Sequence, residues 1–398
     1  MTVKRDIKES WRPATRLVHG GQLRSQYKET SETIFMTSGY VYQSAEEAEA
    51  AFDNSQPRFV YSRFGNPTVS MFEERLALLE GAEVARATSS GMAAVFAALA
   101  SLVKAGDRVV ASDALFGSCQ YILGEILPKW GVETVFVDGR DLAQWRAAFA
   151  KPTKAVFLET PSNPSLRLVD IAEVTKLAHA AGATVVVDNV FATPLLQQPL
   201  KQGADVVVYS ATKHIDGQGR SLGGAILGSR KFVEETLQPF LRHTGPSLSP
   251  MNAWILLKGL ETLELRVNKQ AATAKALAER LQSHPKLSQV LYPTLDSHPQ
   301  VELARRQMAG GGTVVAFSLK DGKEAAFRFL NALQLVLISN NLGDSKSLAT
   351  HPATTTHQRL SPELKQQQGI DAGLIRLSVG LEDGEDLLDD LLLALAVA

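Results

Sequence analysis

Cysteine is almost absent from this chain: Cys119 is the only one in 398 residues. That excludes an intramolecular disulfide framework and any cysteine-based zinc cluster. Neither sign of charge is in excess, because 41 Lys and Arg stand against 42 Asp and Glu for a formal net charge of −1. Such a balance gives no reason to expect nucleic acid or an anionic membrane as partner. Long apolar runs are missing as well. The longest, residues 92–103, already carries Ser101 and falls short of the roughly 18 apolar residues of a membrane span. Residues 1–10 have basic side chains with no apolar stretch behind them, which does not read as a secretory signal. The expectation is a cytoplasmic chain. What is present, 45% apolar and 21% charged residues, is the composition of a globular protein with a large core. Its length suits about two or three domains.

The first 60 residues are polar and weakly patterned except for a short helical stretch at 45–52, and they read as an arm that packs on another subunit. From Tyr61 onward, helical patterns alternate with short apolar runs at 108–111, 134–137, 155–158, 184–187 and 205–209. Runs without polar alternation suit strands buried on both faces of a parallel sheet. The helical patterns between them cover 92–104, 120–130, 142–150 and 171–181, and Gly106, Gly131 and Gly182 follow as left-handed stops. This repeat predicts a doubly wound α/β domain over 61–250. Beyond Pro250 the pattern changes. A helix over 253–282, strands at 313–319, near 335–338 and at 374–378, a helix at 324–333 and a C-terminal helix predict a smaller α+β domain over 251–398.

Three features could carry chemistry. Lys213 follows an apolar strand and the pair Ser210 and Thr212, at the end of a strand where open parallel sheets bind ligands. Asp188 closes the run Val185-Val186-Val187 at the same edge. Ser89-Ser90-Gly91-Met92 opens a helix, where a glycine admits close approach and free N–H groups favour an anion. Taken singly, each has an ordinary reading as a loop lysine, a turn residue and a helix cap. Together they ask for a ligand with an anion, a group that needs a carboxylate, and a carbon that condenses with an amine. Pyridoxal 5'-phosphate meets all of these requirements: its phosphate on Gly91, Met92, Ser210 and Thr212, its ring nitrogen on Asp188, its aldehyde carbon on Lys213.

The chain also resembles, along nearly its whole length, the Cys/Met-metabolism family of fold-type I pyridoxal phosphate enzymes. The matching stretches are Tyr61-Ser62-Arg63-Phe64-Gly65-Asn66-Pro67-Thr68, Ser89-Ser90-Gly91-Met92-Ala93, Glu159-Thr160-Pro161-Ser162-Asn163-Pro164, Val187-Asp188-Asn189 and Ser210-Ala211-Thr212-Lys213. Further on come Asn341-Leu342-Gly343, His351-Pro352-Ala353 and Ile375-Arg376-Leu377-Ser378-Val379-Gly380. The resemblance implies a fold with a mainly parallel central sheet and a smaller C-terminal domain. It implies that Tyr61 and Arg63 reach the cofactor phosphate of a neighbouring subunit, so that the active site is shared in a homotetramer built as a dimer of dimers. Arg376 would grip the α-carboxylate of an amino-acid substrate, with Asn163 and the backbone at Asn341 assisting on the carboxylate and the cofactor oxygen, and Phe116 would stack on the cofactor.

The departures from the family pattern narrow the expected reaction. Phe116 stands where relatives commonly have Tyr, which keeps the stacking and removes a hydroxyl, leaving more of the proton traffic to Lys213. Val60 and Asn340 stand where relatives that handle cysteine or cystathionine tend to place acids. The pattern looks like the O-acylhomoserine sulfhydrylases, and more like the O-succinyl than the O-acetyl enzymes. The expectation is a γ-replacement in methionine biosynthesis, from O-succinylhomoserine and sulfide to homocysteine and succinate. Cystathionine γ-synthesis, O-acetylhomoserine sulfhydrylation, methionine γ-elimination and a catalytically silent cofactor-binding relative are the alternatives. Cys119 reads as a packing residue and His214 as a structural group, and no spacing of His or Cys supports a metal.

Overall fold

The computed structural model describes residues 11–398 and the backbone of a short strand, Val3–Lys4, paired with Leu23–Arg24. The expectations for residues 1–2 and 5–10, the signal reading included, lie outside the described residues.

The apolar runs of the first half become a seven-stranded sheet. Its strands are β1 (Val84–Thr88), β2 (Arg108–Ser112), β3 (Glu133–Val137), β4 (Ala155–Glu159), β5 (Thr184–Asp188), β6 (Val206–Ser210) and β7 (Gly224–Gly228), in the order β1-β7-β6-β5-β4-β2-β3. All pairings are parallel except those of β7, which runs antiparallel to both β1 and β6. Successive side chains of a strand point to opposite faces. Val109 and Ala111 therefore enter one core with Phe157 and Val186, while Val110 enters another with Val156, Val185 and Val187. Two cores explain why the runs show no polar alternation. The run at 134–137 differs, because β3 is an edge strand and leaves Phe136 exposed. Strands β1 and β7 were not expected. Their sequences, Val-Ala-Arg-Ala-Thr and Gly-Ala-Ile-Leu-Gly, are poor in β-branched residues, and pairing in the sheet overrides that weak preference.

Gly106, Gly131 and Gly182 take left-handed backbone at φ 88°, 76° and 73°, as the stop signals required. The helical expectation at 120–130 is corrected. Helix begins at Gly117–Tyr121, widens to a π turn at Ile122–Ile126 and ends at Leu127–Lys129. Pro128 has no N–H to give the ladder, which is consistent with the wider turn before it. The expected helix over 253–282 is two helices, Pro250–Glu261 and Leu263–Leu281. Here the Gly259 carbonyl accepts from the Arg266 guanidinium at 2.8 Å, and the chain turns at Thr262.

A smaller, five-stranded sheet follows: β8 (Leu287–Leu291), β9 (Val314–Leu319), β10 (Leu337–Ile338), β11 (Leu348–Thr350) and β12 (Leu374–Ser378), ordered β8-β9-β12-β11-β10. Strands β8 and β11 were not foreseen, and the strand near 335–338 shrinks to two residues. Phe317, Phe329, Leu377, Leu387 and Leu391 form the core between this sheet and its helices. In the arm, the helix Ala45–Phe52 is present with Ser44 as its cap. An unexpected helix, Pro13–His19, inserts Leu17 against Met71, Phe72 and Leu76 of this same chain. Tyr27, Met36, Val41 and Phe52, by contrast, are exposed apolar side chains of the arm.

Candidate active site

Strands β4, β5 and β6 end in Glu159, Asp188 and Ser210 at the same edge of the parallel sheet. That edge floors a cavity of about 870 Å³, lined among others by Gly91, Met92, Phe116, Asn163, Asp188, Ser210, Thr212, Lys213 and Arg376. Nearly every residue proposed from the sequence is therefore gathered at one place. Asn341 meets it through its side chain, whose Oδ1 accepts from Lys213 Nζ at 2.5 Å.

The helix Gly91–Ala100 starts at this edge, capped by Ser90 Oγ, which accepts from the Ala93 N–H at 3.1 Å. The N–H groups of Gly91 and Met92 find no acceptor among the described residues, as expected in a first helical turn. The reason for Gly91 is sharper than ligand access alone. A Cβ there would stand 2.5 Å from Ser210 Cβ, so the glycine is what lets the helix meet the end of β6. Thr212 exchanges hydrogen bonds with the backbone of Gly223, which fixes its hydroxyl, and it lines the cavity together with Ser210.

Arg376, from the middle of β12, is buried and its guanidinium is spread over three acceptors. Nη1 donates to Asn163 Oδ1 at 2.9 Å, and Nη2 donates to the Asn340 and Asn341 carbonyls at 2.8 and 3.0 Å. Its Nε is buried without a hydrogen-bond partner among the described residues. Burial and the neighbouring Arg376 charge lower the Lys213 ammonium to about 8, which puts a free amine within reach of neutral pH. Burial likewise raises the Asp188 carboxyl.

Glu159 belonged to a recognised stretch but was given no role. Its carboxylate accepts from the Phe116 N–H at 2.7 Å and from the Asn163 N–H at 2.8 Å, so one side chain ties together the ring wall and the asparagine that braces Arg376. It pairs in register with Asp188 across β4 and β5, and burial first, then the Asp188 charge, push its acid upward. His357 also lines the cavity, where burial lowers it to about 4 and its Nε2 has no hydrogen-bond partner among the described residues. The only sequence signal for Glu159 was its place inside a recognised stretch. His214 is buried on Thr313 Oγ1 at 2.7 Å, and Cys119 is buried among Ile122, Leu123 and Phe157, both in keeping with structural roles.

Tyr61 and Arg63 are not brought to this cavity. The Arg63 guanidinium lies 5.1 Å from the Tyr61 ring centre and 4.8 Å from that of Phe64, and it borders a separate hollow with Arg242.

Over residues 14–396 the chain matches the Cys/Met metabolism PLP-dependent enzyme family. The chain belongs to this family. Among curated relatives of this PLP-dependent enzyme, an O-succinylhomoserine sulfhydrylase of Mycobacterium tuberculosis is 60% identical, over 95% of this chain and 94% of the relative. One of the same name from Pseudomonas aeruginosa is 50% identical over 96% and 94%. A solved structure of a Campylobacter jejuni protein described as a putative O-acetylhomoserine (thiol)-lyase, with N'-pyridoxyl-lysine-5'-monophosphate, superposes with a TM-score of 0.93. It is 35% identical and covers 97% of this chain and all 100% of that one. The cofactor of this family member is pyridoxal 5'-phosphate. The cavity's own groups fit it: acceptor-free N–H groups at Gly91 and Met92 for an anion, a buried carboxylate at Asp188, an amine at Lys213 and an aromatic wall at Phe116.

Proposed function

We propose that this enzyme replaces the γ-acyloxy group of O-succinylhomoserine with sulfide, giving homocysteine and succinate, in methionine biosynthesis. The observation that carries the reading is the charge pattern of the cavity. It offers one amine at Lys213 and one buried guanidinium at Arg376, with neutral Asn340 where an acid would hold a second amino group. Relatives named for this reaction at 60% and 50% identity support it.

When bound, pyridoxal phosphate supplies an electron-accepting ring that acidifies the Cα–H, and then the Cβ–H, of an amino acid joined to it. The roles proposed for the chain's residues follow from their positions. The N–H groups of Gly91 and Met92 and the hydroxyls of Ser210 and Thr212 hold the phosphate. Asp188 holds a proton on the pyridine nitrogen, and Phe116 packs on the ring. Arg376, braced by Asn163 and Asn341, orients the α-carboxylate with its remaining donors, one on Nε and one on Nη1. Lys213 is the base that takes the Cα proton and hands protons on, because its lowered pKa leaves an amine able to accept them. Succinate departs from Cγ with the electrons of the broken C–O bond, and sulfide forms the new C–S bond at the same carbon.

In this reading the chain divides into an arm over 1–60, a cofactor domain over 61–250 and a C-terminal domain over 251–398. The two sheets, drawn from 84–228 and 287–378, are consistent with that division. Tyr61 and Arg63 serve the phosphate of a neighbouring copy in a cytoplasmic tetramer of paired dimers; the distance of both from their own chain's cavity, and the exposed apolar arm, favour this.

The test offers O-succinyl- or O-acetylhomoserine together with sulfide or cysteine and identifies products by mass. Homocysteine from the succinyl ester and sulfide is expected as the main product. Cystathionine as the main product would reject the proposal.

A further inference from the structure

Three cationic side chains line the cavity, and two are already committed: Lys213 to Asn341, and Arg376 to Asn163 and the 340–341 carbonyls. The third is Arg359. It is exposed, and it has no hydrogen bond or ion pair among the described residues. A guanidinium without a carboxylate, on the wall of a substrate cavity, is a binding group in waiting.

The segment that carries it is held in place. The Thr355 hydroxyl donates to the His351 carbonyl at 2.8 Å, the His357 N–H donates to the Pro352 carbonyl at 3.0 Å, and the Leu360 N–H donates to the His357 carbonyl at 3.2 Å. Gly117, beside the Phe116 wall, comes so near that a Cβ on it would lie 3.2 Å from the Thr356 carbonyl oxygen. Arg359 thus sits on an anchored loop, at the solvent-exposed border of a cavity whose depth holds the buried Arg376. One cation is deep and one is at the opening. That order suits a substrate with a carboxylate at each end. Glu125 is the exposed acid on the same lining, and Lys365 contacts the Gln358 carbonyl next to Arg359 at 3.3 Å, so the charge near Arg359 is not cancelled locally.

We propose that Arg359 is the specificity-determining residue for the acyl group, binding the distal carboxylate of a dicarboxylic half-ester such as the succinyl ester. This rests on the functional reading above and names the part of the substrate that reading leaves unassigned. An acetyl ester, with no distal charge, gains nothing from Arg359. The preference is a difference between two affinities, produced by one charge-assisted hydrogen bond at a partly screened position.

The experiment compares the holoenzyme with Arg359→Ala and Arg359→Lys on O-succinyl- and O-acetylhomoserine, with sulfide as acceptor. Since Arg359 is exposed and makes no hydrogen bond or ion pair among the described residues, neither substitution removes a polar support of the fold. Arg359→Ala is expected to raise KM for the succinyl ester about tenfold and to move KM for the acetyl ester less than about twofold, with kcat little changed on both. Arg359→Lys is expected to fall between. Added salt is expected to raise KM for the succinyl ester in the unsubstituted enzyme and to lose that effect in Arg359→Ala. Equal effects on both esters, or none on either, would overturn the proposal. Should the unsubstituted enzyme reject O-succinylhomoserine, the functional reading itself fails. Calorimetric titration with succinate then decides Arg359 separately, since equal binding to both proteins overturns its role.

Discussion

Lys213 shows how burial makes a reagent out of an ordinary side chain. An exposed lysine titrates near ~10.4. Here removal from water, and then repulsion by Arg376, bring the ammonium to about 8. The sign follows directly: below pH 8 the amine is mostly protonated and unreactive, and above it mostly free. In protein stripped of cofactor, labelling of Lys213 by acetic anhydride, read by peptide mass, is expected to reach half its maximum rate near pH 8. Surface lysines of the same sample should reach theirs about two units higher. A midpoint equal to the surface value would contradict the desolvation argument. At this scale the sequence was legible where a residue ends a local pattern, as Lys213 and Asp188 do. It put Glu159 in a recognised stretch but gave it no role, because what matters there is that the N–H groups of Phe116 and Asn163 both arrive at one carboxylate. Nothing in the residues around 159 announces that convergence.

Elements were legible in proportion to how local their causes are. The buried runs of β2, β4, β5 and β6 and the glycine stops need only neighbouring residues to be recognised. Strand β1 owes its existence to pairing with β7, far along the chain, and β7 is held between β1 and β6. The meeting of the helix Gly91–Ala100 with the end of β6 is the contact on which the proposed phosphate site depends. With a Cβ at position 91 placed 2.5 Å from Ser210 Cβ and 2.9 Å from its Cα, the strand backbone itself would have to yield. Gly91→Ala is therefore expected to cost about 1–3 kcal/mol in denaturant unfolding, the range for overpacking a tight contact. It should also weaken cofactor retention on dialysis. Unchanged stability together with full retention would show that the helix and strand have more room than the packing implies.

Across the whole molecule, the chain assembles a cavity from both sheets: Asp188 and Lys213 come from the larger one and its edge loops, Arg376 from the smaller. Tyr61 and Arg63 are not among the residues lining that cavity, and Arg63 borders a separate hollow with the exposed Phe52. If they complete the site of a neighbouring copy, two inactive variants should repair one another. Arg63→Ala and Lys213→Ala, each nearly inactive alone, are expected to regain part of the activity after mixing and subunit exchange, because some mixed pairs hold one site with both residues intact. Mixtures that stay inactive despite exchange, followed by native mass spectrometry, would place Arg63 outside the catalytic unit.

The sequence by itself determined the chemical inventory and much of the sheet. Apolar runs, strand ends and glycine stops are short-range patterns, set by side-chain period and backbone sterics within a few residues. Only the tertiary structure decided how that inventory is joined. Arg376 meets Asn163 across 213 positions of chain, Glu159 joins the N–H of Phe116, 43 positions away, to that of nearby Asn163, and Arg359 is left without a hydrogen bond or ion pair among the described residues on the cavity wall. Contacts and desolvation of that kind depend on which surfaces close upon one another. Packing of the whole chain fixes this, and no local stretch of sequence contains it.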